Sequence, residues 1–405
     1  MKKYNKLLFS SLGASFEYYD LAIYSVFAVA IGHKFFEQTN TVSATLMVFM
    51  VYVVGFLIRP LGAWFFGLLA DRKGRAYVLK LNMMLLFFST FILAILPSIQ
   101  TIGVTATIIF VLLRCVQAMA IGAEIPVAVI FSIEAYPNRK GLVTSLIFAC
   151  LSFGIMMTSL VFYIITNYAS DGFIANYGWR LGFLIGALFT LVLFFFRRDI
   201  DDAIAPTKPT EKVEEDFVSF SFKVIVGIML IACIAMLTTQ LYMLLPSYYE
   251  MNIGSNKHIA SLLLIGSVIM SISCIVGGFI SDYVSKTKML AVLLIITIAL
   301  APIFYKSLLS GVGVYSNFIM LSIVMGLFAP TYNVIIVDFF GQHFRGRGHG
   351  LAYNLGYLIF SATIPAITIY LISQTNNLLI PAYMIIATAV ISLVGLILAG
   401  IAIKK

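Results

Sequence analysis

Long apolar runs separated by short polar breaks fill most of the chain. Twelve of them reach the length of about 20 mostly apolar residues that a bilayer-crossing helix needs. They lie near 7–36, 43–70, 77–97, 104–135, 141–167, 180–197, 221–250, 259–281, 288–306, 313–340, 349–373 and 379–403. The runs are too long for barrel strands and lack strict apolar/polar alternation, so each is expected to be a helix that closes its own backbone hydrogen bonds. The longest polar stretch, 199–220, holds seven acidic residues with Pro206 and Pro209 and reads as a solvated linker. It separates a six-helix bundle at 1–198 from another at 221–405. The expected fold class is an all-α membrane protein of twelve transmembrane helices in two halves. The remaining breaks are too short to hold a catalytic domain.

Composition agrees with the pattern. Of 405 residues, 61% are hydrophobic and 11% are charged. A water-facing core stops growing at about 250–300 residues, so a soluble enzyme is excluded. A disordered scaffold and a disulfide-rich secreted module are excluded as well. The net charge of +9 reflects topology. Twenty of the 26 Lys and Arg fall on the side shared by both termini, only Lys34, Arg180, Lys257 and Lys306 fall on the other, and Arg59 and Arg114 lie within runs. By the positive-inside rule both termini are cytoplasmic, and nucleic acid is not an expected partner. The first run contains Glu17 and Asp20 and has no small-residue cleavage site, so it reads as a retained helix rather than a signal peptide. The four cysteines sit in apolar runs without metal-ligand spacing. His33, His258, His343 and His349 fall near run ends or loops, and none reads as a proton relay. No metal and no cofactor are expected.

The two halves echo each other. The segment Gly67-Leu-Leu-Ala-Asp71-Arg72-Lys73-Gly74-Arg75 follows the second run, and Gly278-Phe-Ile-Ser-Asp282-Tyr283-Val284-Ser285-Lys286 follows the eighth. Gly67/Gly278, Asp71/Asp282 and Arg75/Lys286 share one offset. Gly122/Gly326, Pro126/Pro330 and Glu134/Asp338 share another, in the fourth and tenth runs. Parallel six-helix repeats are a transporter design, with substrate held between the halves near the midplane.

The first of these loops resembles the signature loop of the major facilitator superfamily. Three stretches are similar to its metabolite:proton symporter branch, which includes proline/betaine, ketoglutarate, citrate and shikimate carriers. They are Gly13-Ala-Ser-Phe-Glu17-Tyr18-Tyr19-Asp20, Gly55-Phe-Leu-Ile-Arg59-Pro60-Leu61-Gly62, and Arg114-Cys-Val-Gln117-Ala-Met-Ala-Ile-Gly122-Ala123-Glu124. Tyr18 stands where the branch has Trp, and Ala123 where it usually has Gly. The segment Gly178-Trp179-Arg180, followed by a run that ends in Arg197-Arg198, fits the branch too. The second half resembles the superfamily only. The resemblance implies that Asp71, Arg75 and Glu134 form a cytoplasmic latch. Gly67, Arg72 and Gly74 belong to its loop, and Asp282 is a degenerate copy.

Five ionisable residues lie deep in runs, all in the first half: Glu17, Asp20, Arg59, Arg114 and Glu124. Charges in lipid are costly and mark function. At about 1.5 Å per residue, Glu17, Asp20, Arg59 and Glu124 fall at similar depth, while Arg114 falls about 15 Å further out. With Gln117, which shares a face with Arg114, they are the expected proton-coupling and substrate residues. A carboxylate in low dielectric favours its neutral form and a neighbouring Arg its charged form, so alternating exposure can load and release a proton. Asp71 is expected near the start of the eleventh helix at 346–350, where a helix N-terminus favours a carboxylate. Tyr18, Tyr19, Tyr24, Tyr242 and Tyr332 are candidates for an aromatic cavity that holds a quaternary ammonium. Tyr248 and Tyr249 are candidates for an outer gate. Gln240, Asn333 and Asn354 are neutral polar groups that read substrate by hydrogen bonds.

No Gly-Lys-Ser/Thr phosphate loop is present, and no paired catalytic groups stand out. The expectation is a monomeric secondary transporter in a bacterial inner membrane, not an enzyme, importing a small polar metabolite with protons. A zwitterion such as proline or betaine is the favoured substrate. A mono-, di- or tricarboxylate is the alternative, and proton-driven export ranks behind both.

Overall fold

The computed structural model describes residues 15–37, 40–73, 75–121, 124–197 and 217–403. Only the long helices are numbered. α1 covers residues 15–35 with a turn at Phe27, α2 is Thr41–Lys73, and α3 is Arg75–Ile95. α4 is Val104–Ile121 continued by Glu124–Ala135, α5 is Lys140–Tyr168, and α6 is Trp179–Arg197. α7 is Phe217–Thr238, continued through the π turn Thr239–Leu244 to Leu245–Asn252. α8 is Lys257–Tyr283, α9 is Lys286–Ser310, α10 is Val314–Phe340, α11 is Arg347–Thr375, and α12 is Ile380–Ile403. Among the described residues ten helices are long and apolar enough to cross a membrane, and α3 adds the shorter apolar stretch Lys80–Ile95. Large apolar side chains such as Leu57, Trp64, Leu188, Ile295 and Ile397 are exposed along the outside. That sheath suits lipid, not water.

One expected boundary changes. Phe217–Phe220 are helical rather than linker, because their apolar side chains already start α7; residues 199–216 lie outside the described residues. The break expected between the tenth and eleventh runs separates α10 from α11, and its residues are wound into helical turns. The chain doubles back there. His349 Nε2 lies 2.9 Å from Asn333 Oδ1, whereas 16 residues of straight helix would separate them by about 24 Å. Arg345 Nε donates to the Val337 carbonyl at 3.3 Å. Gly348 sits against the Phe340 ring, where a Cβ would approach within 2.1 Å. This reversal is so tight that His349 becomes fully buried. His349 lies at the end of its run as expected, and the reversal adds its burial.

α3 packs on α6, α2 on α4, α7 on α10, α11 and α12, and α9 on α10 and α12. The broadest contact joins α5 to α8, and α8 also packs on α10. Small residues let the α5 and α8 backbones meet. A Cβ on Gly278 would stand 2.3 Å from the Ser145 Cβ and 2.6 Å from the Gly141 carbonyl oxygen. The Cys274 thiol reaches the Ser145 carbonyl at 3.6 Å. Gly278→Val is therefore expected to cost about 1–3 kcal/mol in this closed arrangement. The variant's population shifts toward states in which α5 and α8 separate. Faster alkylation of Cys274 in the folded variant is the measurement, and an unchanged rate would show that the contact gives way without separation.

Candidate substrate and coupling site

Two buried ion pairs stack along α1. The Arg59 guanidinium of α2 donates to Glu17 at 2.7 Å. One turn further along, Arg114 of α4 donates to Asp20 at 2.7 Å. All four residues are buried. Taking such charges out of water costs several kcal/mol per ion, so each pair needs supporting contacts. Arg114 Nη1 also donates to Gln117 Oε1 at 2.7 Å, and Gln117 Nε2 donates to Asp20 at 3.1 Å and to Thr90 of α3 at 2.7 Å. The Arg114 guanidinium lies 4.2 Å from the centre of the Tyr24 ring, and that of Arg59 lies 3.9 Å from the Phe56 ring. A small cavity between α1, α2 and α4 is lined by Asp20, Tyr52, Arg59, Arg114 and Gln117.

The depth expected for Arg114 is corrected. Glu17 and Asp20 occupy two successive levels rather than one, and the long arginine side chain covers the remaining distance. Thr90 was not expected at the site. A single hydroxyl inside an apolar run carries no sequence signal. The side chain of Glu124 lies outside the described residues.

A second group closes the space between the first and last six helices. The Tyr357 phenol of α11 faces those of Tyr18 on α1 and Tyr332 on α10. Phe148 of α5 packs edge-on against Tyr332, with ring centres 6.0 Å apart. All of these rings are buried. Beside them the π turn Thr239–Leu244 of α7 meets a second π turn, Leu358–Ala362, in α11, and Thr239 and Ser361 share a hydrogen bond of 2.6 Å. The first six helices reach this seam through Tyr52, whose hydroxyl donates to Met243 Sδ at 3.2 Å. π turns are rare and frequent at functional sites.

Other expected cavity residues are tied to neighbouring helices by hydrogen bonds. The Tyr19 hydroxyl donates to the Gly182 carbonyl of α6 at 2.7 Å, which places it in packing among the first six helices. Tyr24 donates to the Val48 carbonyl and stacks on Tyr52. Tyr242 hydrogen-bonds Ser322 of α10 at 2.8 Å, and Gln240 donates to Thr368 of α11 at 2.8 Å. Tyr248 donates to the Leu378 carbonyl at 2.8 Å, so it ties α7 to the α11–α12 turn, while Tyr249 is half-buried. The neighbouring Ser247 reaches the Ser25 carbonyl on α1 at 3.4 Å. Asn354 donates to the Gly350 carbonyl of its own helix.

At the end where α5 begins, Asp282 accepts from the backbone N–H groups of Gly141 at 2.7 Å and Leu142 at 3.1 Å. These first-turn amides have no partner inside the helix, so a carboxylate there is doubly favoured. This is the contact expected of Asp71 at α11, made by its repeat partner at α5. The side chains of Asp71 and Arg75 lie outside the described residues, as do Gly74 and the surroundings of Gly67. Arg72 and Glu134 are exposed. Lys140 pairs with Asp338 of α10 at 2.6 Å, and Arg139 donates to the Tyr283 hydroxyl at 3.0 Å. Neither cation was singled out from sequence, because both look like ordinary loop charges.

The chain matches the Major Facilitator Superfamily over residues 10–365. It is 29% identical over 417 residues to the proline/betaine transporter of Salmonella typhimurium, covering 98% of this chain and 82% of that protein. The proline/betaine transporter of Escherichia coli is 28% identical, with 95% and 81% covered. The glycine betaine/proline/ectoine/pipecolic acid transporter of Dickeya dadantii is 28% identical, with 95% and 80% covered. Among solved structures, a D-xylose–proton symporter superposes with a TM-score of 0.76 at 19% identity over 97% of both chains. The inward-open xylose transporter of Escherichia coli gives 0.73 at 14% identity, over 98% of this chain and 95% of that one. At those identities the structures speak for the fold alone. The curated relatives are transporters rather than enzymes, and the family match spans most of the chain, so this protein is a membrane transporter that belongs to the major facilitator superfamily.

Proposed function

We propose that the protein is a proton-coupled symporter that imports a small zwitterion of the proline or betaine kind. Its twelve helices, two bundles joined by a linker that ends where α7 begins at Phe217, rock about a central site, with both termini in the cytoplasm. The observation that carries this reading is the one-to-one pairing of Glu17 with Arg59 and of Asp20 with Arg114 beside a cluster of tyrosines. Paired charges leave the cavity near neutrality. Such a site suits a substrate that carries both signs better than a dicarboxylate, which wants net positive charge. Arg59 Nε is buried with no hydrogen-bond partner among the described residues, which leaves a donor for a substrate carboxylate. Tyr18, Tyr332 and Tyr357 present ring faces that attract a quaternary ammonium. The printed names of the relatives point the same way.

Coupling follows from the pairs. Protonation of Glu17 releases Arg59 to the substrate, so proton and substrate bind together. Asp282, Lys140 and Asp338 hold one end shut, and the latch on Asp71, Arg75 and Glu134 is its repeat-related counterpart. The test is uptake into proteoliposomes under an imposed pH gradient, comparing betaine, proline, ketoglutarate and citrate. Gradient-driven accumulation of betaine or proline is expected. Preference for ketoglutarate or citrate would overturn the substrate class, and indifference to the gradient would overturn coupling.

A further inference from the structure

The coupling pairs above lie on α1, α2 and α4, yet α11 carries a buried polar stripe of its own. His349, Tyr353 and Tyr357 recur every fourth residue and share one face. They are 0%, 3% and 5% exposed. The Tyr353 and Tyr357 rings lie 4.5 Å apart between centres, and His349 lies 6.1 Å from Tyr353. Tyr357 faces Tyr18, and Glu17 is close enough to act electrostatically on Tyr18, Tyr353 and Tyr357.

The chemistry of His349 is fixed by its neighbour. The Asn333 amide donates through Nδ2 to the Ala329 carbonyl at 3.2 Å, which turns Oδ1 toward His349 Nε2. Nε2 therefore carries the hydrogen of the neutral ring. Nδ1 keeps a bare lone pair, buried and without a partner among the described residues. An unpaired acceptor in a dry site is costly, and its lone pair is open to a proton, which the dry surroundings hold only in passing. The elements packed around it supply few charges. α10 presents Asn333, and α7 presents Gly227 and Ile231 to α11, with Lys223 one turn before Gly227. The nearest acid described at this end of α10, Asp338, is held by Lys140 and Arg345.

We propose that His349 is a second proton-binding site, which receives the proton released by Glu17 through the tyrosine hydroxyls and passes it to the cytoplasmic side. This rests on the coupling reading. The Glu17 carboxyl gives its proton to a phenol oxygen, and that phenol passes its own hydrogen on. The last hydroxyl, that of Tyr353, protonates His349 Nδ1 once the Tyr353 side chain turns onto that unpartnered nitrogen. The imidazolium then loses this proton to the cytoplasm, and every phenol ends neutral.

The experiment compares the full-length wild type with His349→Gln and His349→Asn in proteoliposomes. Lumenal pH and radiolabelled betaine or proline are followed together. Each variant keeps an amide donor for Asn333 and removes the titratable nitrogen, and betaine or proline counterflow reports that it is folded. The proton-to-substrate ratio is expected to fall about tenfold or more, and the dependence of uptake on lumenal pH to flatten. A folded variant with the wild-type ratio and pH profile overturns the proposal. A wild type that carries substrate without moving protons overturns the coupling reading itself, and with it the path.

Discussion

Arg114→Ala is expected to eliminate uptake and to cost about 3–5 kcal/mol of stability, the range for removing one partner of a buried ion pair. The loss follows from what the guanidinium holds. It donates to Asp20 and Gln117 at once and lies over Tyr24. Without it the Asp20 carboxylate is a buried charge supported, among the described residues, only by Gln117. Thermal unfolding in detergent reads the stability and proteoliposome uptake reads the transport. A double variant, Asp20→Leu with Arg114→Met, separates the two effects. Apolar replacement of a whole buried pair is often neutral or stabilising, so the double variant is expected to regain stability and remain inactive. An active double variant would show that this pair serves packing alone.

Glu17→Gln is expected to convert an accumulating carrier into an equilibrating one. Each pH unit is worth about 1.4 kcal/mol per proton. One proton per substrate at a gradient of two units therefore supports about 100-fold accumulation. The variant keeps an acceptor for Arg59 and loses the titration, so its substrate should level near equal concentrations inside and out while isotope exchange continues. Undiminished accumulation would remove Glu17 from coupling.

Much of this was visible in the chain because lipid makes sequence legible. Apolar run length sets the helices, and Glu17, Asp20, Arg59 and Arg114 stand out because few charges tolerate such surroundings. Which acid meets which arginine was not visible, because that depends on the register between helices. At α2 and α4 the register is set by a backbone approach, where a Cβ on Gly62 would come within 2.2 Å of the Met119 carbonyl oxygen. Thr90 was hidden because a hydroxyl in an apolar helix usually bonds its own backbone. His349 was hidden because the glycine-rich break at 341–348 marks a turn without showing how tightly it folds back, and so how deeply it buries a residue at the end of its run. The carboxylate at the start of α5 was foreseeable only through the repeat, which points to Asp282 but does not reveal the amides it would cap.

The two stacked pairs also have an electrical consequence. The four paired charges cancel, so the empty pairs can pass between inward and outward exposure without carrying net charge through the membrane field. In the proposed cycle a zwitterion adds none, and the coupled proton adds one positive charge to the loaded form. The loaded step is then the one the membrane potential drives, by about 2.3 kcal/mol per 100 mV. A negative interior pulls substrate inward, while the return of the empty pairs proceeds at a rate the voltage does not set.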